Sequence, residues 1–197
     1  LTKDDVAFYD TVRIEALNLI LSPESIQVLE ECGASVKAAK IKVCPNDMVF
    51  VMKNGKYCIT KTDIQKKRIT LIVNGSLEIE EGASEAVKSY EEIQVNGRVI
   101  YPESVKEALA GRLELNGMEQ SYPDGSIYCD RNQRIDQVFS LRAPKDACYE
   151  VAGKVLMLGE KEELARLVQK GVHINARRGA LVTESNLEEA VNILTAN

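Results

Sequence analysis

His173 is the single histidine of the 197-residue chain, so any Ser-His-Asp or Cys-His nucleophilic arrangement must use it. It stands in Val172-His173-Ile174, where the alternation of an extended chain turns it to the side opposite its two apolar neighbours. That spelling reads as an exposed strand histidine rather than a general base. The five cysteines, Cys32, Cys44, Cys58, Cys129 and Cys148, are odd in number and scattered, with no C-x-x-C pair. A disulfide framework and a zinc ribbon are both disfavoured, and reduced thiols in a cytoplasmic compartment fit better. Cys129 is the one thiol worth testing for reactivity, and it reads as structural.

Asp124, Asp130, Asn132 and Asp136 fall close together and invite a calcium loop. The spelling fails: in a loop begun at Asp130 the sixth position is Ile135, where glycine must make the sharp turn. The chain has no G-x-G-x-x-G and no phosphate-binding P-loop. Glu80-Glu81 and Glu162-Glu163 look like helix-start and surface charges, not an acid/base dyad. No catalytic residue, cofactor or metal ligand is therefore assigned, and the chain is read as non-enzymatic. The alternative is an enzyme with its site near residues 121–134.

Composition narrows the partners. Lys+Arg number 25 against 30 Asp+Glu, for a net charge of −5. A mildly acidic chain without a Lys/Arg-rich block or basic amphipathic helix lacks the field that nucleic acid or an anionic membrane would need. No apolar run approaches a membrane span, and no signal-peptide pattern is visible. An apolar fraction of 45% with 28% charged residues is that of a folded globular chain.

The elements that position these side chains recur. Asn-Gly stands at 54–55, 74–75, 96–97 and 116–117, at intervals of 20 to 22 residues, and from 74 onward directly after an apolar-x-apolar triplet. Asn54-Gly55 is also the strongest hairpin signal in the chain, so a type I′ hairpin and another copy of the recurring unit both stay open there. Short helices fill the intervals, one capped by Ser84, one opened by Pro102-Glu103 and closed by Gly111. Another carries Leu164, Leu167 and Val168 and ends at Gly171. Ser185 to Glu188 spells a capping box ahead of a core stripe of Leu187, Ala190, Val191 and Leu194. Upstream, Thr2 caps a first helix with Val6, Phe8 and Tyr9 on its apolar side. Ile14 to Leu21 reads as a buried strand, and Ser22-Pro23-Glu24 starts a helix that Gly33 ends.

Ile93, Val95 and Asn96, then Leu113, Leu115 and Asn116, then Val172, Ile174 and Asn175 loosely resemble leucine-rich-repeat-like β/α solenoid proteins, among them bacterial repeat proteins of unassigned function. Here the Asn follows the second apolar residue at once, where the leucine-rich consensus places it three positions on. The expected fold is α/β: one domain over 1–197, a β/α repeat solenoid with a parallel sheet on one side and short helices on the other. A β-helical solenoid and a non-repeating α/β domain are the alternatives. Residues 1–12 would supply an N-terminal cap helix and residues 121–134 an insertion loop. The segments beginning at Ile69, Ile93, Leu113 and Val172 should lie side by side in one sheet. Lys42, Ile72, Gln94, Glu114, Glu150 and His173 would then project from one face, all polar except Ile72. That face, as Lys42, Gln94, Glu114, Glu150 and His173, is the expected contact surface of a protein-interaction scaffold, with self-association as the rival.

Overall fold

The computed structural model describes residues 2–7 and 9–195. Its first helix, α1 (Lys3–Val6), is a single turn. The Asp5 carboxylate accepts from the Thr2 amide at 2.7 Å and from its hydroxyl at 2.8 Å, which closes the helix start. Lys3 pairs with Glu31 at 2.6 Å. Val6 is buried, Tyr9 is exposed, and Phe8 lies outside the described residues.

β1 (Arg13–Leu21), α2 (Pro23–Glu31) and β2 (Ser35–Val43) form a parallel β-α-β unit. Ser22 Oγ accepts from the Ser25 amide at 3.1 Å, and Pro23 takes the first helical position, where no amide hydrogen is needed. The burial expected for 14–21 is not met. This sheet has two strands only, so little covers its far side and Leu17 stays 79% exposed.

β3 (Val49–Ile59), β4 (Ile69–Ile79), β5 (Glu92–Pro102) and β6 (Leu113–Tyr122) make a parallel sheet in chain order, linked across β4–β6 by α3 (Ser84–Lys88) and α4 (Lys106–Leu109). Asn54, Asn74, Asn96 and Asn116 are register partners, and so are Gly55, Gly75, Gly97 and Gly117. No hairpin forms at Asn54-Gly55. A type I′ turn needs positive φ at both residues; Gly55 has φ 90, but the one non-glycine residue with positive φ among those described is Asp146. β3 therefore runs on to Ile59 beside β4. Gly75, Gly97 and Gly117 sit at φ 141, 142 and 149, a region closed to side chains. A Cβ there would meet the carbonyl oxygen of the glycine one strand back at 2.2, 2.0 and 1.7 Å respectively.

Leu71, Val73, Leu77 and Ile79 of β4 and Ile93, Val95, Val99 and Tyr101 of β5 point to one side, where Ala86 and Val87 of α3 and Ala108 and Leu109 of α4 close over them. Each Leu, Ile or Val so removed from water contributes about 1.5–3 kcal/mol. The helices are too short to persist alone, so this burial is what holds them.

Residues 121–134 are not a single insertion loop. After a turn at 123–125 come β7 (Ser126–Cys129) and β8 (Gln133–Ile135), then α5 (Gln137–Arg142), β9 (Cys148–Val151) and β10 (Val155–Met157). α6 (Lys161–Gln169), β11 (His173–Ala176), β12 (Ala180–Leu181), α7 (Leu187–Ile193) and β13 (Leu194–Thr195) complete the chain. β7, β9, β11 and β13 share one parallel sheet, and β8, β10 and β12 another. Of the four segments expected side by side, those of Ile69, Ile93 and Leu113 share a sheet; that of Val172 lies in a different one. A second core joins Tyr149, Val151, Met157 and Ile174 to Leu164 and Leu167 of α6 and Ala190 and Ile193 of α7.

The face of α7 also differs from its expected stripe. Leu187 is 50% and Val191 64% exposed, while Asn186, Glu189, Ala190 and Ile193 are buried. The box that starts this segment is Thr183 with Asn186, not Ser185 with Glu188: the Thr183 amide donates to Asn186 Oδ1 at 2.9 Å. On α6, Leu164 and Leu167 are buried as expected and Val168 is 38% exposed. The class is mixed α/β with parallel sheets and short helices. Among the described residues no helix is long and apolar enough to cross a membrane.

Candidate functional site

The polar row expected on one face is distributed over three sheets. Ile72, Gln94 and Glu114 are neighbours in register on β4, β5 and β6. Lys42 belongs to β2, and its ammonium group pairs with Glu92. Lys40 reaches Glu114 at 3.0 Å, and Gln94 Nε2 donates to Glu92 at 2.9 Å and Glu114 at 3.1 Å. The chain's own β2 lysines thus engage this end of the sheet face. Burial pushes the Glu92 carboxyl up, but hydrogen bonds from Lys42 and Gln94 outweigh it and hold the group below its usual range.

Glu150 and His173 stand on β9 and β11, out of line with each other. Glu150 is beside Asn175, and His173 is beside Cys148. Glu150 is 5% exposed and accepts from Asn175 Nδ2 at 3.0 Å and Arg177 Nε at 3.2 Å, so it is a satisfied buried carboxylate and not part of a wet face. His173 and Cys148 are both exposed, and no hydrogen bond joins them.

What the row omitted is the next column. Lys56, Ser76, Arg98 and Met118, each the residue after an Asn-Gly, are register partners. The glycines before them carry no side chains, so a shallow groove, largely open to solvent, lies over Gly55, Gly75 and Gly97, flanked by Ser76, Arg98 and Met118. Ser76 and Arg98 also line a cleft of about 460 Å³ that continues to Lys56, Cys129, Asp130, Arg131 and Gln133. One wall is therefore the 130–133 link between β7 and β8, within the segment singled out from sequence. The signal that could have found this column was present: the position after every Asn-Gly.

One charge pair at the groove joins the two halves of the chain. Arg98 grips Asp130 with both guanidinium branches, Nη2 to Oδ2 at 2.6 Å. This bond holds the Asp130 carboxyl well below its usual range. Lys56 pairs with Glu78 at 2.7 Å. Arg177 Nη2 donates to the Ser121 carbonyl at 2.5 Å, and the rings of Tyr122 and Tyr128 stack 5.2 Å apart. Burial raises the Cys129 thiol, which works against thiolate chemistry at the wall. Ser76 Oγ is engaged by Arg98 Nε at 3.0 Å, a cationic donor that cannot take a proton from it.

No protein-family model, curated protein or solved structure matches the chain.

The acidic quartet is spent elsewhere. Asp124 accepts from the Ser104 hydroxyl at 2.5 Å, Asp130 holds Arg98, Asn132 Oδ1 accepts from the Lys154 amide at 2.9 Å, and Asp136 caps α5 through the Phe139 amide at 3.0 Å. Among the described residues no group of three or more His, Cys, Asp or Glu is placed to hold a metal ion. The arrangement is a surface open to a ligand. It offers a bare backbone floor, one thioether and charged lips.

Proposed function

We propose that the chain is a non-enzymatic β/α solenoid serving as a protein-interaction scaffold, and that the Asn-Gly groove receives an extended polypeptide segment. The observation that carries this reading is the register of four Asn-Gly steps, which leaves a side-chain-free floor across the sheet. Gly55, Gly75 and Gly97 lie two strand spacings of about 4.8 Å apart in all, a floor about 10 Å long with room for about three residues of extended chain. Met118 supplies an apolar contact at one end, and Arg131 can answer a carboxylate or carbonyl at the lip. The five cysteines are free thiols, which suits a reducing, cytoplasmic setting.

Self-association is the second reading, favoured by one feature. β3 is an edge strand of 11 residues, and the Asn ladder stops there with Asn54 as acceptor. Lys53 and Lys56 on that edge oppose it. Sedimentation over a range of concentrations separates the two, since a strict monomer removes the edge-pairing reading.

A selection from a random peptide library, run with the wild-type chain, tests the groove. Enriched peptides should lose at least tenfold in affinity to Ser76→Phe and to Met118→Lys. They should keep their affinity for Gln94→Lys/Glu114→Lys, provided each variant melts like the parent. Undiminished binding by the two groove variants would end the reading.

A further inference from the structure

A second concentration of charge lies away from the groove, where strands β4–β6 begin. Lys66, Lys67 and Arg68 end the link between β3 and β4, Lys88 closes α3, and Arg112 follows Gly111 after α4. In sequence these are three separate segments. In the fold they line one cleft of about 450 Å³ that contains a single carboxylate, Glu91. Five cations against one anion is the reverse of a chain whose net charge is −5.

The link that presents Lys66 and Lys67 is held in place. The Gln65 amide donates to Ser89 Oγ at 2.8 Å, and its side-chain Nε2 donates to the Asp63 carbonyl at 2.9 Å and the Tyr90 hydroxyl at 3.0 Å. The lysines that follow are therefore carried on an anchored turn. Their counter-charges are incomplete. Arg68 takes Glu91 at 2.9 Å and Asp47 at 3.7 Å, and Lys88 takes Glu85 at 2.8 Å. Among the described residues Lys66, Lys67 and Arg112 form no ion pair within 4.0 Å; Arg112 acts on Glu91 only at longer range. The hydrogen bond from Arg68 holds the Glu91 carboxyl low, so the cleft's one acid is already committed.

We propose that this cleft binds a small anion carrying two or more phosphate or sulfate groups. Charge complementarity calls for an anion, and several cations of different origin converging on one space call for more than one anionic group. The size is that of a small ligand. A nucleic acid would also want a ring to stack on. The cleft's one aromatic, Tyr90, is 3% exposed with its hydroxyl held by Gln65, so no ring face is offered. The site stands apart from the groove and does not depend on the scaffold reading.

Calorimetric titration of the full chain with inorganic pyrophosphate at low salt tests this. The expected result is saturable one-site binding that weakens at least tenfold in Lys66→Glu/Lys67→Glu and clearly in Arg112→Gln. Lys154→Glu/Arg178→Glu, which removes two exposed cations outside the cleft, should bind as the parent does. Matching urea midpoints establish that the variants are folded. No saturable heat, or equal losses in both charge-reversal pairs, would overturn the site. A single-stranded oligonucleotide that binds more tightly than pyrophosphate would overturn the small-ligand class.

Discussion

Asn96 Nδ2 donates to Asn74 Oδ1 at 2.9 Å, and Asn74 Nδ2 repeats the bond to Asn54 Oδ1 at the same length. Each asparagine stands one residue before a glycine whose carbonyl passes too close to the next strand for any Cβ. The two ladders reinforce each other. A slip of one residue would set carboxamides against glycines and drive side chains into carbonyl oxygens, so the register is specified twice.

The glycine column gives a sharp test. In Gly97→Ala the added Cβ would fall 2.0 Å from the Gly75 carbonyl oxygen at a φ of 142. Both the overlap and the backbone strain act, and the expected loss is at least about 3 kcal/mol in urea unfolding. Gly125→Ala is the control. Its φ is 74 with no atom within 4 Å of the new Cβ, so it should cost about 1–2 kcal/mol, the ordinary left-handed penalty. Equal costs would mean that the close approach does not exist in solution.

The Arg98–Asp130 pair ties the β3–β6 sheet to the β7–β8 link, and its contribution should depend on pH in a definite sense. Asp130 has a carboxyl lowered in the folded chain, chiefly by the Arg98 hydrogen bond. Stability from a lowered carboxyl is fully present above its unfolded value, near 4, and is lost as pH falls through the folded value. With side chains 31% and 35% exposed, solvent screening reduces the expected loss in Asp130→Asn to about 1 kcal/mol at pH 7. The gap between variant and parent should narrow as pH falls below the unfolded value and close once it has passed the lowered folded one. A gap that persists unchanged into acid would assign the loss to something other than the charge pair.

How much of this was legible follows from where the signals were local. Asn-Gly at fixed intervals marked the β3–β6 register, because one spelling serves both the carboxamide bonds and the glycine contact. The same dipeptide left two readings open at Asn54, because hairpin chemistry is local but parallel pairing is decided by β4. β7 was hidden because Ser126–Cys129 is only four residues between a Pro-Asp-Gly turn and a polar link; its partner β9 lies a helix away. The split of the polar row could not be read either. Lys42 and Gln94 share an alternation pattern, but nothing in that pattern says that β2 belongs to another sheet and sends its lysines to Glu92 and Glu114. The groove and the basic cleft depend on just such long-range placements.

The start of α7 decides between a spelling and a contact. Ser185 heads the capping-box pattern, yet its hydroxyl meets only the exposed Thr183 hydroxyl at 2.9 Å. Asn186 is 3% exposed. Its Nδ2 donates to the Met157 and Gly159 carbonyls at 3.2 Å each, while its Oδ1 accepts from Thr183. These bonds draw that side of the segment onto β10, which carries Glu189, Ala190 and Ile193 inward and leaves Leu187 and Val191 outside. Asn186→Ala removes three bonds at a buried position and should cost about 2–3 kcal/mol, whereas Ser185→Ala should stay within about 0.5 kcal/mol. Urea melts of the two variants read the difference directly. If Ser185→Ala proved the more damaging, the helix would begin where the spelling places it, and the inward face of α7 would have to be the Leu187–Val191 stripe.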